Sequence, residues 1–262
     1  MTKMIKTVIF AGGLGSRISE ESHLKPKPMI EIGGKPMLWH IMKIYQSQGF
    51  NEFIICLGYK GYMIKEYFMN YFIHNSDITI DLSNNKIQTH QSKTENFKIT
   101  LVDTGQNTMT AGRLKRIKKY IGNEDFMLTY GDGVANINLK ELIAFHKKHK
   151  KTVTVTAVQP AGKFGILSPD DKGIIESFEE KPTHSGNWIN GGFFVMKPGV
   201  FDFLNGDMDN IMWEQDPMRK LVKAKQLAAY KHTEFWRCMD IIRDKVELEE
   251  MWNNNPKWKL WD

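Results

Sequence analysis

A glycine-rich turn followed by polar and basic residues is the first stretch of this sequence with the chemistry to bind a ligand. Gly12, Gly13 and Gly15 follow a short apolar run of the length of a buried strand. Ser16 and Arg17 come directly after them. Glycine lets the backbone approach a ligand closely, and unpaired N–H groups in such a turn form a nest that binds anions. The hydroxyl of Ser16 and the fixed charge of Arg17 therefore predict a phosphate-binding loop.

Two lysines between prolines, Lys25 and Lys27, add positive charge close to this loop. The loop matches neither of the two most familiar phosphate motifs. A Walker A loop ends in Gly-Lys-Ser/Thr, whereas these glycines lead to Ser16-Arg17, and Ile18 occupies the third glycine position of the dinucleotide pattern. On these residues alone, a glycine-rich turn without a ligand stays open as the alternative.

A second candidate site follows the apolar stretch Phe126 to Tyr130, where Asp132 stands between two glycines. Ligands of parallel α/β sheets bind beyond the carboxyl ends of the strands. A carboxylate at such a strand end can reach a metal ion, so Asp132 is predicted to bind one. The alternative is an ordinary turn residue, because aspartate also favours tight turns.

The composition indicates a folded protein of the reducing cytoplasm. The 262 residues are 41% hydrophobic and carry a net charge of +6. No apolar run approaches the roughly 20 residues that span a bilayer, and Lys3 and Lys6 lead straight into the first strand instead of a secretion signal. The two cysteines, Cys56 and Cys238, do not suggest a disulfide framework. We expect no membrane attachment, and no nucleic-acid binding because the basic clusters fall on predicted helices.

The order of the apolar segments predicts the elements that position these residues. Strand-like and helix-like periods alternate from residue 5 to residue 72, which predicts a parallel sheet with helices on both faces. Residues 73–110 break this rhythm with short alternating segments, and we expect a β-rich insertion there. We therefore expect residues 1–262 to form a single α/β domain with a Rossmann-like, mostly parallel mixed sheet flanked by helices.

Further motifs recur across nearly the whole chain, from residue 8 to beyond residue 240. They are AGGLGSR from Ala11, KPKPM from Lys25, GGKPMLWH from Gly33, YGDG from Tyr130, EKP from Glu180, NGGFFV from Asn190 and WRCMD ending at Asp240. Together they resemble the signature of the sugar-1-phosphate nucleotidyltransferases, whose usual form is GGxGxR followed by KP. The stretches EIGGKPMLWHIMK, GYKGYMIKEYF, MTAGRLKR and WEQDPM are similar to the glucose-1-phosphate cytidylyltransferase branch of that family.

The resemblance implies roles for the residues that match the family's motifs. Arg17 and Lys27 are implied to be catalytic, with Arg17 neutralising the leaving pyrophosphate and Lys27 contacting the α-phosphate of the nucleotide. Asp132 and Asp240 are implied to share one Mg²⁺ ion. The implied nucleotide-binding residues are Ala11, Gly12, Gly13, Leu14, Gly15, Ser16, Arg17, Lys27, Thr108, Arg113 and Gly131. The implied sugar-phosphate-binding residues are Glu179, Lys181, Asn190 and Gly191.

Three of these residues also have ordinary structural interpretations. Without the resemblance, Arg113 is interpreted as a surface residue of a helix. Asp240 is predicted to cap the N-terminus of the last helix, a role that is compatible with metal binding. Asn190 offers both a donor and an acceptor to sugar hydroxyls, and the alternative is an ordinary strand residue.

The resemblance further implies direct transfer of a cytidylyl group from CTP to glucose 1-phosphate, for bacterial surface sugars such as the lipopolysaccharide O antigen. It implies a homo-oligomer, a hexamer, with the insertion at residues 73–110 contributing subunit contacts. Three alternatives stay open: the same chemistry with UTP, dTTP or another hexose 1-phosphate, a non-catalytic nucleotide-sensing subunit, and a nucleic-acid binder. No serine–histidine or cysteine–histidine pair is evident, which agrees with transfer without a covalent intermediate.

Overall fold

The structure is a computed structural model and describes residues 5–15, 18–92, 94–160, 166–169, 174–179 and 187–262. The strands are β1 (Thr7–Ala11), β2 (Glu31–Ile32), β3 (Lys35–Pro36), β4 (Glu52–Leu57), β5 (Ser76–Asp81), β6 (Lys86–Ser92), β7 (Lys98–Asp103), β8 (Phe126–Tyr130), β9 (Gly133–Ala135), β10 (Val153–Val158), β11 (Ile166–Pro169), β12 (Ile175–Glu179), β13 (Ile189–Met196), β14 (Leu227–His232) and β15 (Trp236–Cys238). The helices are α1 (Ser19–Ser22), α2 (Met37–Gln46), α3 (Gly61–His74), α4 (Thr110–Arg116), α5 (Lys118–Ile121), α6 (Leu139–His149), α7 (Asp216–Lys223) and α8 (Ile242–Asn254).

Within these described residues, seven strands form one sheet in the order β14-β10-β13-β8-β1-β4-β7. Strand β13 runs antiparallel to both of its neighbours. The other neighbouring pairs in the sheet are parallel. The predicted α/β fold with a mostly parallel mixed sheet is therefore confirmed.

The central strand β1 is buried along its whole length because helices cover both faces of the sheet. Ile9 and Ala11 belong to an apolar cluster that includes α2. Val8 and Phe10 point to the opposite face, where they join a cluster that includes α4. Alternate side chains of a strand point to opposite faces, so an apolar run with no polar alternation predicts two covered faces. No helix in the described ranges is long and apolar enough to cross a membrane.

The parallel pairing of β1 with β8 brings two candidate sites to one edge of the sheet. Phe10 pairs with Tyr130 in this register. The glycine-rich loop leaves the carboxyl end of β1, and Gly131-Asp132 leaves the carboxyl end of β8. The edge of the sheet that the sequence predicted to bind ligands therefore carries both groups.

The predicted insertion is smaller than expected. Strands β5 and β6 pair only with each other, as an antiparallel hairpin. Strand β7, which we expected within the insertion, instead pairs in parallel with β4 as the edge strand of the main sheet. A half-buried edge strand and a hairpin strand share the same alternating pattern, so the sequence does not separate them. The part that stands apart from the sheet is the hairpin at residues 76–92.

Candidate active site

The glycine-rich loop is open on the side that faces solvent. Gly13 has open space where a side chain would be, and Leu14 is 58% exposed. Gly15 has a φ of +66°, which favours glycine. Its carbonyl oxygen accepts hydrogen bonds from the hydroxyl of Ser22 at 2.9 Å and from the backbone N–H of Ile18 at 3.0 Å. The loop is thus held from α1, and no other described residue covers its outer surface, where a ligand can bind. Ser16 and Arg17 lie outside the described residues.

Arg113 supports this loop from within the protein. It is 3% exposed, so its interpretation as a surface residue of α4 is wrong. Its Nη2 donates to the carbonyl oxygen of Gly12 at 2.9 Å, and its Nη1 donates to the carbonyl oxygen of Leu57 at 2.9 Å and to the hydroxyl of Thr104 at 2.7 Å. A side chain on Gly12 would overlap the guanidinium group. The described contacts of Arg113 therefore join the loop to the end of β4. Thr108, which was also predicted to bind nucleotide, is buried as well, at 7% exposed.

Lys27 lies where two carboxylates converge. Its Nζ is 2.6 Å from Asp132 Oδ2 and 2.8 Å from Asp240 Oδ1. The side chain of Lys27 is 12% exposed, and those of Asp132 and Asp240 are 30% and 24% exposed. The sequence did not predict this contact, but it did single out these three residues. The structure brings them together next to the glycine loop, since Lys27 Cβ lies 3.3 Å from the position of a side chain on Gly15.

A short ribbon explains how two aspartates so far apart in sequence meet. Strands β9 and β15 pair antiparallel, with Cys238 opposite Gly133. Asp132 directly precedes β9, and Asp240 follows β15. The backbone N–H of Met239 also donates to the carbonyl oxygen of Asp132 at 2.8 Å. Since the start of one antiparallel strand lies beside the end of the other, both carboxylates emerge at the same end of the ribbon.

The charge on Lys27 is stabilised by its two partners. Burial acts to lower the pKa of the amine, but the attraction and hydrogen bonds of Asp132 and Asp240 outweigh it and raise the pKa above its ordinary value of 10.5. Lys27 therefore stays protonated at neutral pH. A permanently charged ammonium group can neutralise a phosphate oxygen, but it cannot accept a proton.

The aspartate pair has the donor chemistry that a magnesium ion requires. Mg²⁺ prefers oxygen ligands and is commonly held by one or two carboxylates together with substrate phosphates and water. Asp132 and Asp240 direct their oxygens to one point, which in this structure is the ammonium group of Lys27. Within the described part of the chain, no group of three or more histidine, cysteine, aspartate or glutamate side chains is arranged to hold a metal. The pair thus fits an ion whose coordination is completed by oxygen atoms of a substrate and of water.

Asp240 is held in place by a second, buried aspartate. The carboxylate of Asp244 is 6% exposed and accepts from the backbone N–H groups of Asp240 at 2.8 Å and Ile241 at 3.0 Å. Helix α8 begins at Ile242 with Ile241 at the N-cap position. The prediction that Asp240 caps this helix is therefore wrong, because Asp244 reaches back from the first turn and satisfies the free N–H groups.

Two of the predicted sugar-phosphate-binding residues, Asn190 and Gly191, lie on β13 beside Tyr130. The side-chain amide of Asn190 donates to the hydroxyl of Tyr130 at 3.0 Å and accepts from the N–H of Gly192 at 2.9 Å. The carbonyl oxygen of Gly191 accepts from the indole N–H of Trp236 at 2.7 Å. A side chain at Gly191 would lie 2.7 Å from a methyl group of Val158. Only a glycine fits at this position without displacing β10.

Four predicted binding residues remain to be located: Ala11, Gly131, Glu179 and Lys181. Ala11 is buried at the end of β1, and a side chain on Gly131 would lie 2.7 Å from the carbonyl oxygen of Phe10. Glu179 is the last residue of β12, in a hairpin with β11. Lys181 lies outside the described residues.

The sequence did not single out three polar residues that contact this site. They are Tyr130, Glu214 and Asp244. Glu214 was visible only as part of the WEQDPM stretch, without a role. A carboxylate four positions after Asp240 is a signal for Asp244, because acidic residues in the first turn of a helix often bond free N–H groups.

Cys238 is not a nucleophile in this arrangement. Its Sγ is 3.8 Å from Asp240 Oδ2. Burial, together with the charges of Asp240 and Asp132, raises the pKa of the thiol to about 12. The thiolate is the reactive form of cysteine, so this thiol stays unreactive at neutral pH.

A sheet covered on both faces, with a glycine-rich loop and paired aspartates at its carboxyl edge, is typical of enzymes that act on nucleotides. The sequence pattern of the family described as Nucleotidyl transferase matches residues 6–253, and the chain belongs to that family. Enzymes of this family generally use a divalent metal.

Individual proteins similar to this chain are also nucleotidyltransferases. The chain is 51% identical over 260 residues to the glucose-1-phosphate cytidylyltransferase of Salmonella typhi, covering 98% of this chain and 100% of the relative. It is also 51% identical over 260 residues, with the same coverage, to the glucose-1-phosphate cytidylyltransferase of Salmonella typhimurium. The crystal structure of HddC from Yersinia pseudotuberculosis superimposes with a TM-score of 0.67 over 95% of this chain and 100% of HddC, at 23% identity. At that identity, the structural likeness shows the fold alone.

Proposed function

We propose that this chain transfers the cytidylyl group of CTP to glucose 1-phosphate, giving CDP-glucose and pyrophosphate. The choice of substrates is supported by 51% identity over 260 residues to the glucose-1-phosphate cytidylyltransferase of Salmonella typhi. The chemistry is supported by one observation above all: Lys27, Asp132 and Asp240 meet within hydrogen-bond distance beside the glycine-rich loop.

The reaction requires two anions to approach each other. An oxygen of the sugar's phosphate attacks the α-phosphorus of CTP, and the bond to the leaving pyrophosphate breaks as the new P–O bond forms. The second pKa of a phosphate monoester is about 6, so the attacking group is largely ionised at neutral pH and needs no strong base. Correct placement of the reactants and of positive charge should therefore supply most of the catalysis.

Each proposed role follows from this requirement. The N–H groups of residues 12–15 bind the triphosphate, and Arg17 neutralises the leaving pyrophosphate. The long, flexible side chain of Lys27 lets its ammonium group leave the carboxylates and contact an α-phosphate oxygen. Lys181 orients the attacking phosphate. Asp132 and Asp240 would hold Mg²⁺, which supplies positive charge to phosphate oxygens when bound.

We also propose that the hairpin at residues 76–92 contacts another copy of this chain. Three of its aliphatic side chains are exposed, namely Ile80 at 54%, Leu82 at 84% and Ile87 at 58%. An isolated two-stranded hairpin is only marginally stable in water. Contact with a neighbouring subunit would bury these side chains and stabilise the hairpin.

The proposed activity is tested by measuring pyrophosphate release with glucose 1-phosphate and Mg²⁺, using CTP, UTP, dTTP, ATP and GTP in turn. We expect release with CTP, and much less with the other four nucleotides. Release with another nucleotide alone would keep the class of reaction and reject the choice of base. Silence with all five, and with other hexose 1-phosphates, would favour a non-catalytic nucleotide-binding subunit.

The role of Lys27 is tested in the same assay with Lys27→Met, which keeps the length of the side chain and removes its charge. We expect turnover to fall about 100-fold or more, the loss typical of removing a group that stabilises transition-state charge. The thermal melting temperature shows whether the variant is folded. Normal turnover by a folded Lys27→Met variant would contradict the proposed role.

A further inference from the structure

A chain of hydrogen bonds connects Glu214 to the sugar side of the candidate active site. Glu214 lies in the loop before α7. Its Oε1 is 2.5 Å from the hydroxyl of Tyr130, and that hydroxyl is 3.0 Å from the side-chain nitrogen of Asn190. The other carboxylate oxygen of Glu214 accepts from the hydroxyl of Thr110 at 2.9 Å. Both oxygens of Glu214 are therefore engaged, which restricts rotation of the carboxylate.

The direction of each hydrogen bond in this chain is determined by chemistry. An ionised carboxylate only accepts, so Tyr130 must donate its one hydroxyl proton to Glu214. The hydroxyl oxygen of Tyr130 is then left to accept from the side-chain N–H of Asn190.

The orientation of the Asn190 amide is fixed from its other end as well. The backbone N–H of Gly192 can only donate, and it contacts Asn190 Oδ1 at 2.9 Å. The two ends of the amide therefore have one consistent assignment, with oxygen toward Gly192 and nitrogen toward Tyr130. One N–H of Asn190 is used by Tyr130. Among the described residues its second N–H has no hydrogen-bond partner, so it remains as a donor.

We propose that Glu214 is a positioning residue for the sugar phosphate, acting through Tyr130 to hold the Asn190 amide with a donor available to a hydroxyl oxygen of the hexose. The proposal rests on the proposed function, because the contact between Asn190 and the sugar is part of it. Neither Glu214 nor Tyr130 is required to touch the substrate. The effect of changing Glu214 should thus appear in the binding of glucose 1-phosphate and not in the binding of CTP.

The test is steady-state kinetics of Glu214→Gln with each substrate varied in turn. Glutamine keeps the shape, but one of the two carboxylate oxygens becomes an NH2 donor. Either Tyr130 or Thr110 then faces a donor in place of an acceptor, so the direction of the hydrogen bonds is no longer specified. We expect the KM for glucose 1-phosphate to rise about tenfold, the lower end for a hydrogen bond to a charged group because Glu214 is exposed. The KM for CTP should change less than about twofold.

A double-mutant cycle with Tyr130→Phe asks whether Glu214 acts through the tyrosine. If it does, the double variant should be no worse than Tyr130→Phe alone, since the link is already broken. The control is Tyr230→Phe, which removes another tyrosine–glutamate hydrogen bond, to Glu141 at 3.1 Å, away from the site. Neither KM should change in the control.

Three results would overturn the proposal: an unchanged KM for glucose 1-phosphate, an equal rise in both KM values, or effects of the two variants that multiply. Failure of the proposed class of reaction looks different, because the unmodified protein would then release no pyrophosphate with any nucleotide. In that case calorimetric titration with glucose 1-phosphate replaces kinetics. Weaker binding by Glu214→Gln than by the unmodified protein would support the positioning role, and equal binding or none by both would reject it.

Discussion

The buried carboxylate of Asp244 holds the backbone that carries a candidate metal ligand, Asp240. It accepts from the backbone N–H groups of Asp240 and Ile241, and it is 6% exposed. Removing a buried acceptor leaves its donors without partners, which commonly costs about 1–3 kcal/mol. The backbone that carries the Asp240 carboxylate would then be less well fixed beside Asp132.

We therefore predict that Asp244→Ala raises the Mg²⁺ concentration needed for half-maximal activity by about tenfold, a shift equivalent to ~1.4 kcal/mol. Asp244→Asn should have a smaller effect, because its amide oxygen can still accept from both N–H groups. Binding of Mn²⁺, measured by electron paramagnetic resonance, gives a second readout that does not depend on turnover. Glu250→Ala, an exposed change on the same helix, is the control. Identical metal dependence in Asp244→Ala and the unmodified protein would exclude this role.

At the scale of elements, helix α2 is joined to the C-terminal segment through a buried histidine. His40 is fully buried, and its Nε2 lies 2.8 Å from the carbonyl oxygen of Ile32. The indole N–H of Trp258 donates to its Nδ1 at 3.4 Å. A carbonyl oxygen accepts and an indole N–H donates, so His40 is neutral with its proton on Nε2. Protonation of Nδ1 would place two donors against each other.

This arrangement predicts a specific pH dependence of stability. Burial lowers the pKa of His40 from 6.5 to about 4. The unfolded chain therefore takes up a proton at this residue at higher pH than the folded chain does. The stability that depends on neutral His40 is complete above pH 6.5 and is lost as the pH falls from 6.5 toward 4. Between pH 7 and pH 5 the expected loss is about 2 kcal/mol.

The measurement is urea unfolding at pH 7 and pH 5 for the unmodified protein and for His40→Gln. Glutamine has no proton to take up in this range, so the variant should lose about 2 kcal/mol less on acidification, even if it is less stable at pH 7. Other titrating groups are the same in both proteins and cancel in the comparison. His74→Gln, at an exposed position, should follow the unmodified protein. An equal loss in His40→Gln would show that His40 does not contribute to the acid sensitivity.

Elements and local motifs were predictable from the sequence, whereas their long-range contacts were not. The apolar run of β1, the helical spacing of α2 and the turn at Gly131 each follow from periodicity and turn chemistry that act within a few residues. The parallel pairing of β7 with β4 depends on which surface the rest of the chain leaves open. The burial of Arg113 likewise depends on the carbonyl oxygens of three separate segments.

In the candidate site, too, the individual residues were predictable from the sequence and the contacts between them were not. The family resemblance selected Lys27, Asp132 and Asp240, but no local pattern indicates that the ammonium group lies between the two carboxylates. That contact is produced by the β9–β15 ribbon, whose two short strands lie far apart in sequence. Glu214 was missed for the same reason, because its hydrogen bonds reach Thr110 and Tyr130 across the fold.

At the scale of the whole molecule, the exposed hairpin at residues 76–92 predicts an assembly of several chains. Leu82 is 84% exposed near the turn, and Ile80 and Ile87, which pair directly across the two strands of the hairpin, are 54% and 58% exposed. Exposed apolar side chains that lie close together are typical of interaction surfaces. The family resemblance implies a hexamer. We therefore expect the protein to have the mass of a multimer in solution.

Light scattering coupled to gel filtration tests this prediction on the unmodified protein and on the double variant Leu82→Asp, Ile87→Asp. Charged residues in an apolar contact would be buried without partners, so the variant should have a smaller assembly mass. It should keep its fold, because both side chains are exposed within one chain. Val222→Asp is the control, since Val222 is 61% exposed on α7, which is not part of the hairpin.

A monomeric unmodified protein, or a double variant of unchanged mass, would show that this hairpin does not join subunits. If the smaller assembly retains pyrophosphate release, each chain carries a complete active site; if it loses release while remaining folded, the site depends on a neighbouring subunit.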